Sequence, residues 1–383
     1  MQDLTLLIDK SAFQSLSRRE AKWMFHHFRM NVPPVFFAEI IADLKKKKPA
    51  TGSAETDVKA LAGKITSHAI HTNVGAQELM TSELLGNRFP LGGQIIDINS
   101  EIVTLQNGER AIYVDSTPTQ DMIHRWQHGD FSELEHEQAA VWRDGISKIQ
   151  LEDMFRKVKA LRNPNVKNSD DLIRVVDGAL KGRDFALMKD LFQMANLDDV
   201  RFNEAARSWR GFGHPPTEQF FPYSYFILRI ELYFLLGLAN KIITTRDTNR
   251  IDIEYLKYLP FAHAFCSSDN LHIESARHFS MPHNMFILGK ELKSALAEIA
   301  DCWDSVSDKV KSRGTASFAN FPPPELDNAI TRAYDFHIKN WREGANEPRP
   351  QISPEENART MARLKPLMEA MERARKKSNP KVD

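Results

Sequence analysis

Four acids in this 383-residue chain stand where a carboxylate is costly unless something cationic is held beside it. Asp9 follows a short apolar run, LTLLI, and Glu39 sits inside the nearly all-apolar stretch VFFAEIIADL. Asp252 opens DIEYLKYL, and Asp269 follows the run FAHAFC and two serines. Carboxylates gathered in one place raise each other's pKa. A divalent cation removes that penalty, and all-oxygen ligands suit Mg²⁺ or Mn²⁺. Such a centre can polarise a phosphodiester, lower the pKa of a bound water and stabilise the leaving oxygen. No serine, cysteine or histidine nucleophile is then required.

The elements that must position these acids can be read locally. Leu4 to Ile8 is too short for a helix and reads as a buried strand ending at Asp9 and Ser11. Ser17 and Glu20 form a capping box for a helix carrying Ala21, Met24 and Phe28 on one face. Pro34 suits the first turn of a helix over 35–44, whose apolar face is Phe36, Ile40 and Leu44, with Glu39 beside it. The segment 252–272 reads as a helix from Asp252 to Leu259, a proline, and a buried strand from Phe261 to Cys266. If the two strands run parallel, Asp9 and Asp269 share the carboxyl edge of the sheet, where open parallel sheets place ligands. Met285 to Leu288 reads as a further strand and 290–303 as a helix.

Between these halves the pattern changes. Segments near 57–82, 130–161, 169–195 and 201–211 have helical spacing. EIVTLQ and ERAIYV flank Asn107-Gly108, which predicts a β-hairpin with a two-residue turn near 101–114. Tyr223 to Ile243 carries Arg229, Glu231 and Lys241 and is read as a buried core helix, not a membrane span. The expected organisation is α/β: a core over 1–60 and 240–312 with a central, mainly parallel sheet flanked by helices. A mostly helical insertion fills 61–239, and a helical extension runs over 313–383. Within that extension, Ser353, Pro354 and Glu356 predict the start of a basic amphipathic helix with Met361, Leu364, Leu367, Met368 and Met371 on its apolar side.

The stretches LLIDKSAF, PPVFFAEIIADL and DIEYLKYLPFAHAFCSSDNLH together resemble those of PIN-like nuclease domains. The resemblance covers roughly 1–60 and 240–300. It implies a metal-dependent nuclease, with RNA favoured over DNA as the nucleic-acid partner. It further implies that Asp9, Glu39, Asp252 and Asp269 are the metal ligands for Mg²⁺ or Mn²⁺, with Ser11 and Ser268 as nearby hydrogen-bonding groups. Compact PIN-like domains place these elements in a much shorter chain, so the insertion is a departure. The alternative is a PIN-like module that binds RNA or assembles with a partner without cleaving.

Around the acids, Arg246 and Arg250 are expected to contact phosphate and His272 to orient a ligand or a water. Lys45 to Lys48 form a run that could touch phosphate as well. Asp43 and Asp247 are the likeliest substitutes within the quartet. A metal-independent ribonuclease using Arg and His would draw on Arg207 with His214, Arg277 with His283, or Arg332 with His337.

Composition narrows the field. The 51 basic and 51 acidic residues balance, so no global field marks the chain as a nucleic-acid or membrane binder, and binding must be local. Two cysteines, Cys266 and Cys302, give neither a disulfide framework nor a zinc quartet and suit a reducing cytoplasm. The start MQDLTLLIDKSAF does not read as a signal peptide. Neither GxxxxGK[ST] nor GxGxxG occurs, which leaves nucleotide-dependent enzymes without support. A protein partner or a second copy would meet the helical insertion or the tail.

Overall fold

The computed structural model describes residues 4–346, apart from 48, 51, 67–68, 105–109, 149–150 and 313. Beyond 346 it describes 355, 358–359, 361–362, 365–366 and 369. Its centre is a five-stranded sheet in the order β3-β2-β1-β6-β7, with every neighbouring pair parallel. The strands are β1 (Leu4–Ile8), β2 (Phe28–Val32), β3 (Ile70–Thr72), β6 (Ala264–Ser267) and β7 (Met285–Leu288). A separate antiparallel pair, β4 (Ser100–Thr104) and β5 (Arg110–Val114), makes the expected hairpin, whose Asn107-Gly108 turn lies outside the described residues. The fold is therefore α/β, an all-parallel sheet flanked by many helices.

Parallel strands covered on both faces need continuous apolar runs. LTLLI satisfies this, with all five residues of β1 buried. Ser17 caps the amino end of the helix Arg18–His27 and Glu20 returns the bond, as the sequence predicts. Pro34 opens the helix Pro34–Ala42. The apolar helix, Pro222–Ala239, is buried in the common core, and among the described residues no helix is long and apolar enough to cross a membrane.

Two strands depart from expectation. Phe28 belongs to β2 and not to the preceding helix, because the backbone turns extended there; its i+4 spacing from Met24 mimics a helical face. Ile70–Thr72 is the edge strand β3, in a stretch that reads as helical from 57 to 82; the observed helices there are Ala54–Ala62 and Ala76–Leu84. Near the site the helix spans Asn249–Leu256, a short 3₁₀ turn takes Leu259–Phe261, and β6 begins three residues later than expected.

The residues between 61 and 239 do not form a detached body. They contribute β3 to the sheet and share one hydrophobic cluster with it. Asn31, fully buried in β2, accepts a bond from Asn73 past β3 and donates to the Phe261 carbonyl, tying three segments together. Glu83 accepts from the backbone N–H groups of Tyr223 and Ser224 and so holds the first turn of the long apolar helix. Arg143 donates to the Ala42 carbonyl and to Asp43, fixing an insertion helix against the helix that carries Glu39. The capping box at Ser353, Pro354 and Glu356 lies outside the described residues, as do Leu364, Leu367, Met368 and Met371.

Candidate functional site

The order of the sheet reverses between β1 and β6, and their carboxyl ends open the crevice where parallel sheets hold ligands. The register pairs Ile8 with Cys266, which sets Asp9 beside Ser267. Asp9 caps the helix Lys10–Ser15, and Asp269 caps the helix Asn270–Phe279. Glu39 comes from the second turn of Pro34–Ala42 and Asp252 from the first turn of Asn249–Leu256. The structure thus brings all four acids to one edge, each on a different element.

Their environments differ sharply. Both oxygens of Asp9 are taken. Oδ1 accepts from the Ala12 N–H at 2.6 Å and the Ser11 hydroxyl at 2.9 Å. Oδ2 accepts from the Ser267 hydroxyl and faces His272 Nδ1 at 3.3 Å. His272, fully buried, donates from Nε2 to the Asp252 carbonyl at 2.7 Å, while its Nδ1 stands 2.8 Å from Ser267 Oγ. With Ser267 giving its one proton to Asp9, a proton on Nδ1 would complete the set, and the surroundings favour the charged ring. Burial alone would lower its pKa, but the bond and charge of Asp9 outweigh burial and raise it. Burial likewise works to raise Asp9, and His272, Ser267 and the Ala12 N–H together hold it below the usual range.

Asp252 is the opposite case. Its Oδ2 is buried with no hydrogen-bond partner among the described residues. Burial pushes the carboxyl up to about 7; Asp269 and Glu39 push the same way, against His272 and Arg246. Burial also raises Glu39, although the Tyr255 hydroxyl donates to its Oε2 and Lys10 lies nearby. Asp269 spends Oδ1 on the Leu271 N–H and leaves Oδ2 at 3.7 Å from Arg246. Glu39, Asp252 and Asp269 thus keep acceptor capacity, whereas Asp9 would have to release a donor to ligate anything. As the side chains stand, no three His, Cys, Asp or Glu groups among the described residues are close enough to hold one ion.

Other expected contributors are placed as follows. Ser11 bonds Asp9 and thus supports the site from below. Ser268 is exposed and turns towards the start of the helix Gly289–Ser305, where a Cβ on Gly289 would sit 2.1 Å from its hydroxyl. Arg246 reaches the site through Asp269. Arg250 does not: its guanidinium lies flat on Glu231 and also pairs with Glu254, so it cannot serve an incoming phosphate there. Asp43 is committed to Lys10 and Arg143, which removes it as a substitute ligand. Among the lysine run, Lys46 leans on Asp43 at 3.8 Å, and Lys48 lies outside the described residues. The Arg/His pairs are engaged elsewhere: Arg277 with Asp170, Arg332 with Asp327, and His337 and His283 against His263. His214 packs on Trp209 in a left-handed backbone conformation.

Ser267 and Tyr255 were not singled out by residue pattern. The bonds that matter join Ser267 to Asp9 across 258 positions and Tyr255 to Glu39 across 216, so no local signal marks them. Comparison of the chain with protein-family models, curated proteins and solved structures finds no match.

Proposed function

We propose that this chain is a metal-dependent phosphodiester hydrolase, a nuclease with a PIN-like core acting on RNA in preference to DNA. One observation carries the reading: Asp252 Oδ2 is buried without a donor, next to two further carboxylates that retain acceptor capacity. A buried oxygen left this way costs about 1–3 kcal/mol, which a cation would relieve. The donor set is all carboxylate oxygen, the chemistry Mg²⁺ or Mn²⁺ takes, and the side chains would have to draw together from their present spacing to share one ion. Glu39, Asp252 and Asp269 would hold the ion. When bound, it would supply Lewis-acid polarisation of a phosphodiester and a nucleophilic water at neutral pH.

The chain's own groups do the rest. Asp9 holds the His272 ring and favours its charged form, and the His272 Nε2–H fixes the Asp252 backbone, so Asp9 acts as a positioning residue behind the other three. Tyr255 orients Glu39. Arg246, exposed beside Asp269, is placed to meet a phosphate.

The test is cleavage of labelled single-stranded RNA and DNA with Mn²⁺, Mg²⁺ or EDTA, with folded Asp252→Asn and Asp269→Asn beside wild type. Metal-dependent cleavage lost in both variants is the expected result; cleavage that survives EDTA and both substitutions would sink the mechanism. A second reading, a PIN-like module that binds RNA without cutting it, draws on the four donors that already saturate Asp9. It predicts RNA binding with no cleavage under any metal.

A further inference from the structure

A cleft of about 490 Å³ with mixed polar and apolar walls opens beside Asp269, between the core and the 61–239 segment. Three cations, Lys167, Lys241 and Arg246, line it together with two acids, Asp269 and Glu274, which leaves a net positive charge. Lys167 and Lys241 are exposed, and among the described residues no carboxylate lies within ion-pair distance of either. Lys241 holds φ at +61°, a left-handed conformation that glycine or asparagine adopts more readily. Its Nζ stands 5.8 Å over the Phe155 ring, and from this backbone position it would swing off that ring to meet a phosphate in the cleft. Asn168 caps the helix Ser169–Leu180, and Asp269 caps Asn270–Phe279; both helices open on the same cleft, so their amino-terminal dipoles add to the lysine charges.

Cations alone would only make a basic spot on a neutral protein. Their position gives it meaning. Arg246 is shared between this cleft and the acid site: it leans on Asp269 at 3.7 Å and its charge acts on Asp252. A strand whose scissile phosphate lies at the carboxylates has its neighbouring phosphates within reach of the cleft. Single-strand sites are built as cationic grooves that follow the backbone.

We infer that Lys167, Lys241 and Arg246 form the phosphate track of a single-stranded nucleic acid entering the acid site, to which the 61–239 segment contributes Lys167. This rests on the hydrolase reading above. Lys167 and Lys241 touch phosphates flanking the cut, and Arg246 hands the chain to the acids.

The experiment is fluorescence anisotropy on the intact protein in EDTA, with single-stranded RNA and DNA oligonucleotides over a range of salt. Lys167→Gln/Lys241→Gln is compared with wild type and with Asp252→Asn. The double variant should bind roughly tenfold more weakly, and the slope of log K against log salt should shrink by about 1.4, or about 0.7 per lost phosphate contact. Asp252→Asn should bind at least as well as wild type while losing cleavage. Unchanged affinity and slope in the double variant would overturn the track; cleavage lost only in Asp252→Asn would then leave the hydrolase reading standing. Wild type that binds neither oligonucleotide, or that prefers the matching duplex in competition, would also overturn it. Loss of binding in the double variant of a protein that never cleaves would uphold the track and reject the hydrolase.

Discussion

The two ends of the sheet both bury titratable groups, and they do so in opposite ways. At the carboxyl edge, carboxylates are gathered against one imidazole whose charged form they favour, and one oxygen is left with no donor among the described residues. At the amino edge, His263 precedes β6 and lies against His283 and His337, with ring centroids 6.3 and 4.9 Å away. There the imidazoles have no counter-charge. Burial pushes His263 down to about 4, helped by the neighbouring rings. His263 Nδ1 accepts from the Thr5 N–H at 3.1 Å, so the ring is neutral and locks β1 to the start of β6. His27 is an extreme case: fully buried, both ring nitrogens without a partner, its pKa pushed down to about 3. A polar group that is neutral and packed reads as structure. A like-charged group with unmet acceptors reads as a place for a ligand.

The largest effect should come from breaking the charged pair. His272→Ala leaves Asp9 buried without its cation, and such losses cost about 3–5 kcal/mol. A thermal or urea melt checks this; a loss below about 1 kcal/mol would mean that Asp9 is not ion-paired.

Acid separates the two ends next. His27 and His263 have folded pKa values below the free 6.5, so the stability they contribute is full above pH 6.5. It is lost as the pH falls through about 4 towards 3. Asp252, raised to about 7, behaves the other way: its contribution is full below 3.8 and is lost as the pH rises through 7. His27→Leu should therefore flatten the stability profile by roughly 2–4 kcal/mol between pH 7 and 4. Urea midpoints across that range decide it, and an unaltered slope would show that His27 does not titrate on unfolding.

Asp252→Asn should stabilise the metal-free protein at pH 8 by about 1–2 kcal/mol, since it removes a buried like charge, while abolishing cleavage. A destabilised variant would make Asp252 a structural carboxylate. The smallest effect is expected for Tyr255→Phe: Glu39 loses its donor, costing about 1 kcal/mol and lowering cleavage by several-fold. Unchanged cleavage would show that Glu39 needs no such support.

Much of the carboxyl edge was legible in the sequence. LTLLI with Asp9, Pro34 ahead of Glu39, and Asp269 after an apolar run announce themselves locally, as do the Ser17–Glu20 box and the strand Met285–Leu288. Two strands were hidden because their local pattern points elsewhere: Phe28 continues a helical face, and Ile70–Thr72 is three residues long. The separate standing of 61–239 also failed to hold, since Asn73, Glu83 and Arg143 bind it to the core through bonds no window of sequence can see. Arg250 was misjudged for the same reason: Glu231, nineteen positions away, claims its guanidinium.

The most direct measurement is Mn²⁺ binding to the intact protein by electron paramagnetic resonance, with wild type, Asp252→Asn and Asp9→Asn side by side. Bound Mn²⁺ in wild type, lost in Asp252→Asn and only weakened in Asp9→Asn, is the result expected if Glu39, Asp252 and Asp269 hold the ion and Asp9 stands behind them. Wild type that binds no Mn²⁺, or binds it equally well without the Asp252 carboxylate, would contradict the central claim.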